Sequence, residues 1–419
     1  MKFFSVMYQT STSKGQELLA QRMVKWAVKL GHEAWLITSI YHDSEPVLPE
    51  VELTRLERGY VIFKEDPVLG LPTIRVSSSK TLWPPRRIVL RDFISVLRDI
   101  DENIGVDLII THSTLWNAPE EVSRWILWKN LMNSLGEETR DTIYGHMSHY
   151  QPPDPSRYSL VERTYRMAWN ISAFPSIFRA ASLIICLTGI EAEEMISLGA
   201  RQEQIHLFPG GLDDELAQKI DNANATAFLE KFDIPENRIL ISYLGTLETR
   251  KNPLAVVRVA KRMRSTREIL FVIAGRPGDQ WDDIISESKD AGNVVITGEL
   301  SEDMTASLIK ATYLNIIMSK LEAFGLTQLE FMYGGVPVIT SAVYGQKWLI
   351  RNNVDGVHLN GPEDIEGAAN AIKSLVRNGE KRDEMGKNAR ERASAFLMSK
   401  LMRELLIKSV DLMNRKQKT

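Results

Sequence analysis

The chain has 419 residues, 44% of them hydrophobic and 25% charged, and its formal net charge at pH 7 is −3. A chain of this length usually folds into more than one domain, so we expect two domains. The composition is that of an ordinary globular protein. The charge balance gives no overall basic field, which argues against a nucleic-acid partner.

The N-terminal apolar run is too short for a secretory signal peptide, and no uncharged stretch approaches the roughly 18 residues that a membrane-spanning helix needs. The single cysteine, Cys186, lies in the apolar run LIICLT and is expected in the core rather than in a disulfide or a metal site. We therefore expect a cytoplasmic protein, with peripheral attachment at the inner membrane face as an open alternative.

Short apolar runs rich in β-branched residues alternate with segments of helical spacing along the whole chain. Because the runs are continuously apolar, we expect strands covered on both faces, as in parallel sheets of Rossmann-like α/β units. The runs are FFSVMY, EAWLIT, VDLIITH, TIYGHM and SLIICLT in the first half, and IHLF, ILISYLG, ILFVIAG, NVVITG, YLNIIMS and VPVIT in the second.

Two segments depart from this rhythm in the first half. Residues 51–76 are predicted to form an antiparallel elaboration with a turn at Pro67–Gly70. Residues 83–100 have the spacing of an amphipathic helix, so residues 80–100 are a candidate contact for an anionic membrane surface or a phosphorylated acceptor. The alternative is an ordinary surface helix with salt-bridged arginines. The arginines predicted on one face are Arg87, Arg91 and Arg98.

The regular alternation breaks near residues 200–235, where glycines and polar residues replace the apolar runs. We predict two Rossmann-like domains facing across a cleft, with a C-terminal helix that returns to the first domain. The predicted domains are 1–203 joined by 395–419, and 204–394.

The stretch from Glu322 to Glu330 follows the predicted strand YLNIIMS and contains the sequence AFGLT. In open α/β sheets, ligands bind beyond the carboxyl ends of strands, and free amides at a helix start bind anions. A helix running from one glutamate to the other would separate them by about 12 Å, so each carboxylate could bind hydroxyl groups at one end of a nucleotide sugar. The alternatives are a Glu322 that complements the helix dipole and a Glu330 that pairs with a core polar group.

The stretch EAFGLTQLEFMYGGVPVIT closely resembles the E-x7-E element of family 4 glycosyltransferases, which are retaining, nucleotide-sugar-dependent enzymes with the GT-B fold. The segments SYLGTLETRKNPLAVVRVAKRM, FVIAGRPGD and NVVITGELSEDM are similar to the family's loops around the nucleotide. The resemblance extends over nearly the whole chain and implies the α/β GT-B architecture.

By this resemblance, Glu322 would bind donor-sugar hydroxyls and Glu330 the ribose hydroxyls, and Lys251 would stabilise the departing nucleoside diphosphate. The family's arginine earlier in the Lys251 loop is replaced here by Thr246, whose hydroxyl does not mimic a bidentate cation. The neighbouring Arg250 either compensates for this loss or forms a solvated loop pair with Lys251. The backbone amides expected to hold the phosphates are those of Phe324, Gly325, Leu326 and Thr327.

In the first domain, TSKGQE resembles the glycine-bearing loop that faces the donor phosphate, with Gly15 as the glycine and Lys14 as an added cation. Gly15 as a simple start for a helix over 16–30 is the alternative. His146 matches the family's cleft histidine that contacts the donor sugar, and His149 is its alternate. His112 is a weaker candidate, because a lone histidine after a strand is often structural.

We therefore expect a hexosyltransferase that uses a UDP- or GDP-linked sugar and transfers it, with retention and by front-face attack, to a glycan, a lipid-linked sugar or a polyol. The resemblance implies no cofactor, and because no D-x-D metal motif appears where one would be expected, we expect no metal. The loop at 149–158 is expected to shape the acceptor pocket. A sugar-nucleotide epimerase or phosphorylase, and a non-catalytic nucleotide-sugar-binding subunit, are the competing hypotheses.

Overall fold

The computed structural model describes residues 1–12, 14–48, 52, 55–56, 59–81, 87–150 and 159–416. The chain divides into two compact units, one formed by Met1–Pro209 with Met398–Thr419 and the other by Gly210–Leu397. The boundaries predicted from the sequence lie a few residues before these divisions.

The first unit is built on a mostly parallel sheet with helices packed on it. Its strands are β1 (Lys2–Met7), β2 (Glu33–Ser39), β3 (Tyr41–His42), β4 (Glu45–Pro46), β5 (Tyr60–Phe63), β6 (Thr73–Val76), β7 (Ser78–Lys80), β8 (Ile88–Leu90), β9 (Leu108–His112), β10 (Ile143–Met147), β11 (Leu183–Cys186) and β12 (Ile205–Leu207). Its helices are α1 (Gly15–Lys29), α2 (Phe93–Asn103), α3 (Ala118–Ser134), α4 (Leu160–Ala180) and α5 (Gly189–Ser197), with a short 3₁₀ helix at Gln202–Gln204.

The main sheet of this unit has the strand order β12-β11-β10-β9-β1-β2-β6-β5. β5 pairs antiparallel with β6, which confirms the predicted antiparallel elaboration over its described part. The central strands are buried on both faces, as their continuous apolar sequences predict. Cys186 at the end of β11 is buried in this core, as expected.

The predicted amphipathic helix over 83–100 is wrong in its first half. Ile88–Leu90 form β8, which pairs antiparallel with β7, and α2 begins only at Phe93 after a left-handed Asp92 (φ 46°). Arg87 is therefore not on the helix, and its guanidinium instead stacks on the Trp169 ring at 4.1 Å. Residues 82–86, with Trp83 and Arg86 of this prediction, lie outside the described residues, as does most of the 149–158 loop.

The C-terminal helix, Met398–Lys416, belongs to the first unit, which confirms the predicted return. The Lys408 Nζ donates a hydrogen bond to the Ile205 carbonyl at 3.1 Å, and the Lys416 Nζ donates to the Thr142 carbonyl at 3.2 Å. The apolar face of this C-terminal helix, including Leu405, is buried. Within the part of the chain that the structure describes, none of the helices has both the length and the apolar character needed to span a membrane.

The second unit is a parallel sheet with the order β15-β14-β13-β16-β17-β18. Its strands are β13 (Ile239–Leu244), β14 (Ile269–Ala274), β15 (Val294–Gly298), β16 (Thr312–Ile317), β17 (Val338–Thr340) and β18 (Gly356–His358). Its helices are α6 (Asp214–Asn222), α7 (Ala225–Lys231), α8 (Pro253–Arg262), α9 (Trp281–Ala291), α10 (Glu302–Ala311), α11 (Leu326–Tyr333), α12 (Gly345–Leu349), α13 (Ile365–Arg377) and α14 (Gly379–Ser394). The C-terminal helix of the first unit, Met398–Lys416, is therefore numbered α15. β18 is an addition to the predicted strands, because its sequence GVH is not a continuous apolar run.

The main sheet of each unit has a point where the direction of strand addition reverses. In the second unit the chain starts at β13, adds β14 and β15 on one side, and then adds β16 to β18 on the other. In the first unit the corresponding reversal lies between β1 and β9. Loops that leave neighbouring strands in opposite directions open a crevice at the carboxyl ends, where ligands of open α/β sheets bind. The fold therefore predicts that ligands bind at the loops after β13 and β16, and at the loops after β1 and β9.

Candidate functional site

Lys251 and Glu322 meet at the reversal point of the second unit. Lys251 lies in the loop between β13 and α8, and Glu322 lies in the loop between β16 and α11. The Lys251 Nζ donates a hydrogen bond to the Glu322 Oε2 and forms an ion pair with it. The side chains are only 17% and 12% exposed, so the attraction is screened less than in a surface pair. The fold thus brings together two residues that the sequence separates by 71 positions.

The loop that carries Glu322 is held by a close backbone approach that sequence reasoning missed. The amide of Gly345, the first residue of α12, donates to the Glu322 carbonyl at 3.0 Å. A Cβ atom at position 345 would lie 1.9 Å from the Ala323 carbonyl oxygen, so only glycine fits. The sequence VYGQKW carries no signal for this role, because the constraint comes from a distant segment.

Helix α11 starts later than the sequence predicts. The helix begins at Leu326, so Glu322 lies in the preceding loop and only Glu330 lies on the helix. The separation of about 12 Å, which assumed helix between the two glutamates, therefore does not apply. Glu330 is nevertheless buried with 9% exposure, on a helix whose middle and end are buried.

The first turn of α11 has the features of an anion site. Gly325 is the N-cap residue with φ 110°, and no side chain caps the helix, so the amides of the first turn are not satisfied by a capping group. Leu326 and Thr327 are partly exposed, whereas Phe324 is buried beside the Trp348 ring at 6.3 Å. This turn follows directly on the loop that carries the ion pair.

Arg250 also contacts the loop that carries Glu322. Its Nη2 donates to the Glu248 Oε1 at 2.6 Å, and its Nη1 approaches the Leu321 carbonyl at 3.4 Å. The Lys320 amide donates to the Arg250 carbonyl at 2.9 Å. Thr246 contributes its carbonyl, which accepts from the Tyr243 hydroxyl at 3.0 Å. The Arg250 guanidinium is therefore paired with Glu248 and lies against the loop that carries Glu322.

In the first unit, Lys14 and Gly15 lie at the start of α1, after the loop that follows β1. Gly15 is the exposed first residue of α1. The Lys14 side chain is 45% exposed, and its Nζ lies 3.7 Å from the Asp43 Oδ1. The Lys14 amide donates to the Ser11 Oγ at 3.1 Å.

Three histidines cluster at the carboxyl ends of β9 and β10. The His146 Nδ1 lies 2.8 Å from the Thr111 Oγ1, and the His149 Nε2 lies 3.1 Å from the His112 Nδ1. Burial lowers the pKa of His146 to about 3, with the nearby His149 as a second cause, and burial lowers the pKa of His149 to about 3. Burial likewise lowers the pKa of His112 well below its usual value. At neutral pH all three rings are therefore uncharged.

Glu191 is a further residue of this region that sequence reasoning missed. Its Oε1 accepts hydrogen bonds from the Ser148 Oγ at 2.6 Å and from the Tyr150 amide at 2.9 Å. These bonds fix both sides of His149, whose backbone is left-handed (φ 49°). Burial raises the pKa of the Glu191 carboxyl. Glu191 is the third residue of helix α5. In the sequence it resembles an ordinary acidic residue near a helix start, so nothing marks it as a functional residue.

Comparison with known proteins gives a consistent assignment. A family model described as "Glycosyl transferases group 1" matches residues 224–392, the part that contains Lys251, Glu322 and Glu330. The chain is 25% identical over 250 residues to D-inositol 3-phosphate glycosyltransferase 1 of Catenulispora acidiphila. That alignment covers 57% of this chain and 59% of the relative, so the chain spans less than two thirds of the relative's length.

Two solved structures are similar over the whole chain. Sucrose-phosphate synthase from Thermosynechococcus elongatus has a TM-score of 0.71 at 17% identity, covering 99% of both chains. HepE of Anabaena, solved in complex with UDP, has a TM-score of 0.69 at 16% identity, covering 98% of this chain and 100% of that one. Residues 224–392 therefore match a glycosyl transferases group 1 model, and the chain has the GT-B fold that its sequence predicts.

Proposed function

We propose that this protein is a retaining glycosyltransferase that moves a hexose from a nucleoside diphosphate sugar to an acceptor hydroxyl. The observation that carries the proposal is the Lys251–Glu322 ion pair at the reversal point of the second sheet, next to the uncapped first turn of α11. A cation, an anion-binding helix start and a hydroxyl-binding carboxylate are the three groups that a sugar diphosphate requires.

In this proposal the diphosphate binds at the amides of the first turn of α11, where the helix dipole favours negative charge. Lys251 then exchanges part of its interaction with Glu322 for the phosphate oxygens, and Arg250 adds a second cation from the same loop. Glu322, released from this pairing, accepts hydrogen bonds from donor-sugar hydroxyls. Glu330 accepts hydrogen bonds from the ribose hydroxyls.

The proposed reaction is a front-face transfer. The bond between the anomeric carbon and the diphosphate oxygen breaks, while the acceptor oxygen forms its bond on the same face of the sugar. The acceptor proton passes to the departing phosphate oxygen. Positive charge from Lys251 stabilises the leaving group, and preorganised electrostatic stabilisation of this kind usually lowers the reaction barrier more than any other effect. Within this proposal the cations and amides of the protein act in place of a divalent metal.

A UDP-linked donor is our first choice, since HepE has been solved with UDP and with UDP-glucose. For the acceptor, a phosphorylated polyol is the first class to test, because the curated relatives are named D-inositol 3-phosphate glycosyltransferases. A glycan and a lipid-linked sugar are the other acceptor classes, and contact of residues 80–100 with a membrane surface remains a proposal linked to the last of these.

The proposal is tested by thermal unfolding with UDP, GDP and ADP, each with and without EDTA. A ligand present at 100 times its dissociation constant stabilises the folded state by about 2.7 kcal/mol. We expect UDP to raise the unfolding temperature regardless of EDTA and to lose this effect in Glu330→Ala. Glu366→Ala, which removes an exposed glutamate of α13 paired with Arg262, is the matched control.

Turnover is then measured with UDP-glucose and inositol 3-phosphate, and the anomeric configuration of the product is read by NMR. An inverted product, or a UDP effect that persists in Glu330→Ala, would contradict the proposal.

The second candidate is a non-catalytic nucleotide-sugar-binding subunit. It is favoured by Thr246 at the position of the family's arginine and by the engagement of Arg250 with Glu248. This candidate predicts stabilisation by UDP without release of UDP from UDP-glucose under any acceptor condition.

A further inference from the structure

Helix α4 exposes an apolar face along its first half. The side chains of Leu160, Val161, Met167 and Ile171 are large and apolar, and these residues are 74%, 79%, 51% and 73% exposed. Residues spaced by three or four positions are neighbours on a helix surface, so Leu160, Thr164, Met167 and Ile171 form one stripe, and Val161 lies beside its start. We call these five residues the outer face of α4.

The rotation of α4 about its axis is fixed by contacts on the opposite side. The Trp169 Nε1 donates a hydrogen bond to the Thr114 carbonyl at 2.6 Å. In the second half of the helix, Phe174 and Phe178 are buried in the core of the first unit, with their ring centroids 5.0 Å apart. These contacts direct the outer face away from the sheet, so its exposure follows from how the helix packs.

The outer face has little charge around it for an exposed helix surface. Within the described stretch 160–175, Glu162 is the only charged residue that is exposed rather than half-buried. Its carboxylate accepts hydrogen bonds from the Ser159 amide and hydroxyl, both at 2.9 Å, and so belongs to the helix cap. On α14, by contrast, every exposed residue except Gly379 is charged. A contiguous exposed apolar face indicates an interaction surface for a protein or a membrane.

The charges on the flanks of α4 are positive. Arg163 and Arg166 are half-buried on the helix, and the Arg87 guanidinium stacks on the Trp169 ring at 4.1 Å. Burial, and secondly the charge of Arg166, lower the pKa of Arg87 to about 10, while Glu120 acts in the opposite direction. The Arg163 Nε and the Arg87 Nη2 have no hydrogen-bond partner among the described residues. Arginines that repel one another favour an anionic partner.

These charges distinguish between two kinds of partner. A two-fold interface brings the same patch of two copies together, so a patch flanked by arginines would repel itself. An anionic bilayer complements the patch, because apolar side chains enter the boundary between headgroups and acyl chains while arginines meet lipid phosphates. The observed combination of an apolar face and basic flanks is that of a helix lying in the plane of a membrane surface.

We propose that the outer face of α4, with Arg163 and Arg166 beside it, docks the first unit on an anionic lipid bilayer. The four large apolar side chains enter the headgroup boundary, and the two arginines contact lipid phosphates. This surface lies on a different helix from α2, which contains much of the 80–100 segment. The docking goes beyond the proposed function and does not depend on it, because lipid binding requires neither a donor sugar nor turnover.

Binding is measured by co-sedimentation of the full-length protein with vesicles of phosphatidylcholine alone and of phosphatidylcholine mixed with phosphatidylglycerol. We expect binding to the mixed vesicles only, and release as the salt concentration rises, since salt screens exposed charges. Met167→Glu/Ile171→Glu should weaken this binding by at least about tenfold, because it removes apolar area and adds negative charge. Arg163→Gln and Arg166→Gln should each weaken it by about fivefold.

Ile407→Glu is the matched control, because this isoleucine of α15 is 57% exposed and lies outside the outer face of α4. It should bind the mixed vesicles as the wild type does. Met167→Glu/Ile171→Glu should keep the wild-type unfolding temperature and the stabilisation by UDP, since both side chains are exposed. Arg91→Gln/Arg98→Gln tests the 80–100 segment separately and should retain most of the binding.

Three outcomes would overturn the proposal. The first is absence of binding to the mixed vesicles, or binding that persists in Met167→Glu/Ile171→Glu; if UDP still stabilises the protein, the proposed nucleotide site stands without the docking. The second is a loss of binding in Arg91→Gln/Arg98→Gln alone, which would assign the contact to residues 80–100. The third is a dimer, seen by analytical ultracentrifugation without vesicles, that Met167→Glu/Ile171→Glu dissociates, which would assign the face to a second copy.

Discussion

At the scale of single residues, the site depends on how Lys251 and Glu322 share their charges. The ion pair is mostly buried, so neither group is free to move its charge into solvent. Removing one partner leaves the other charge buried and uncompensated, which is costly. Breaking the pair is therefore expected to cost stability. In the proposed function, the same pairing positions the cation for the leaving group.

The first prediction concerns Lys251→Met. We expect kcat for transfer from the accepted nucleotide sugar to fall by roughly 100- to 1,000-fold, the range seen when one preorganised stabilising group is removed. Steady-state release of the nucleoside diphosphate is the measurement. Lys261→Met, which removes an exposed lysine of α8 paired with Asp290, is the control and should retain full activity. A loss confined to KM would show that Lys251 acts only in ground-state binding.

At the scale of elements, the turn into α11 is the most demanding piece of backbone in the second unit. Gly325 has φ 110°, a conformation that residues with a side chain rarely adopt. A Cβ atom there would also lie 2.1 Å from the Gln328 Oε1 in the first turn of the helix. The same turn presents the amides proposed to hold the phosphates, so its backbone geometry and the function are linked.

The second prediction is that Gly325→Ala abolishes stabilisation by the bound nucleotide and lowers the unfolding free energy by about 1 to 3 kcal/mol. The strained backbone must rearrange, and the rearrangement moves the first-turn amides. Thermal unfolding with and without UDP measures both effects. Gly379→Ala at the start of α14, where φ is not positive and the nearest atom is 4.0 Å away, is the control. If Gly325→Ala bound UDP normally, the amides would not hold the phosphates.

One predicted element, the helix over residues 83–100, is wrong in its first half. The spacing of residues 83–100 predicts one helix, but Ile88–Leu90 pair with β7 and the helix begins at Phe93. A short β-branched run is compatible with either structure, and here the available partner strand decided it. Arg87 then packs on the aromatic rings of Tyr165 and Trp169 from α4, a contact that local spacing does not reveal.

At the scale of the whole molecule, the buried histidines link stability to pH. The pKa values of His146 and His149 are about 3 in the folded protein, below the ordinary value of 6.5. Between these values the unfolded chain binds protons that the folded chain does not bind. The contribution of these two histidines to folding stability is therefore fully present above about pH 6.5 and is lost as the pH falls toward 3.

The third prediction follows from this difference. Between pH 6.5 and 5.5, the unfolding free energy should fall by up to about 1.4 kcal/mol per pH unit for each of the two histidines. Denaturant unfolding measured across this range in the wild type and in His146→Gln/His149→Gln tests it. We expect a shallower slope in the double variant and a constant difference between the two proteins from pH 7 to 8. Equal slopes would mean that neither histidine is kept neutral by the fold.

The sequence by itself determined the α/β class, most strands and the order of the site segments. Continuous apolar runs specify buried parallel strands because hydrophobic burial on both faces leaves little choice of partner surface. The stretch from Glu322 to Glu330 and the loop with Lys251 were likewise visible, since each motif is local.

Only the tertiary structure decided which distant residues meet. It paired Lys251 with Glu322, set Gly345 against the Ala323 backbone and linked Ser5, His112 and His149 in one chain of hydrogen bonds. These contacts join loops that leave different strands, and strand order in the sheet determines which loops become neighbours. Local sequence does not encode that order, because it depends on how all the strands and helices bury their apolar surfaces together.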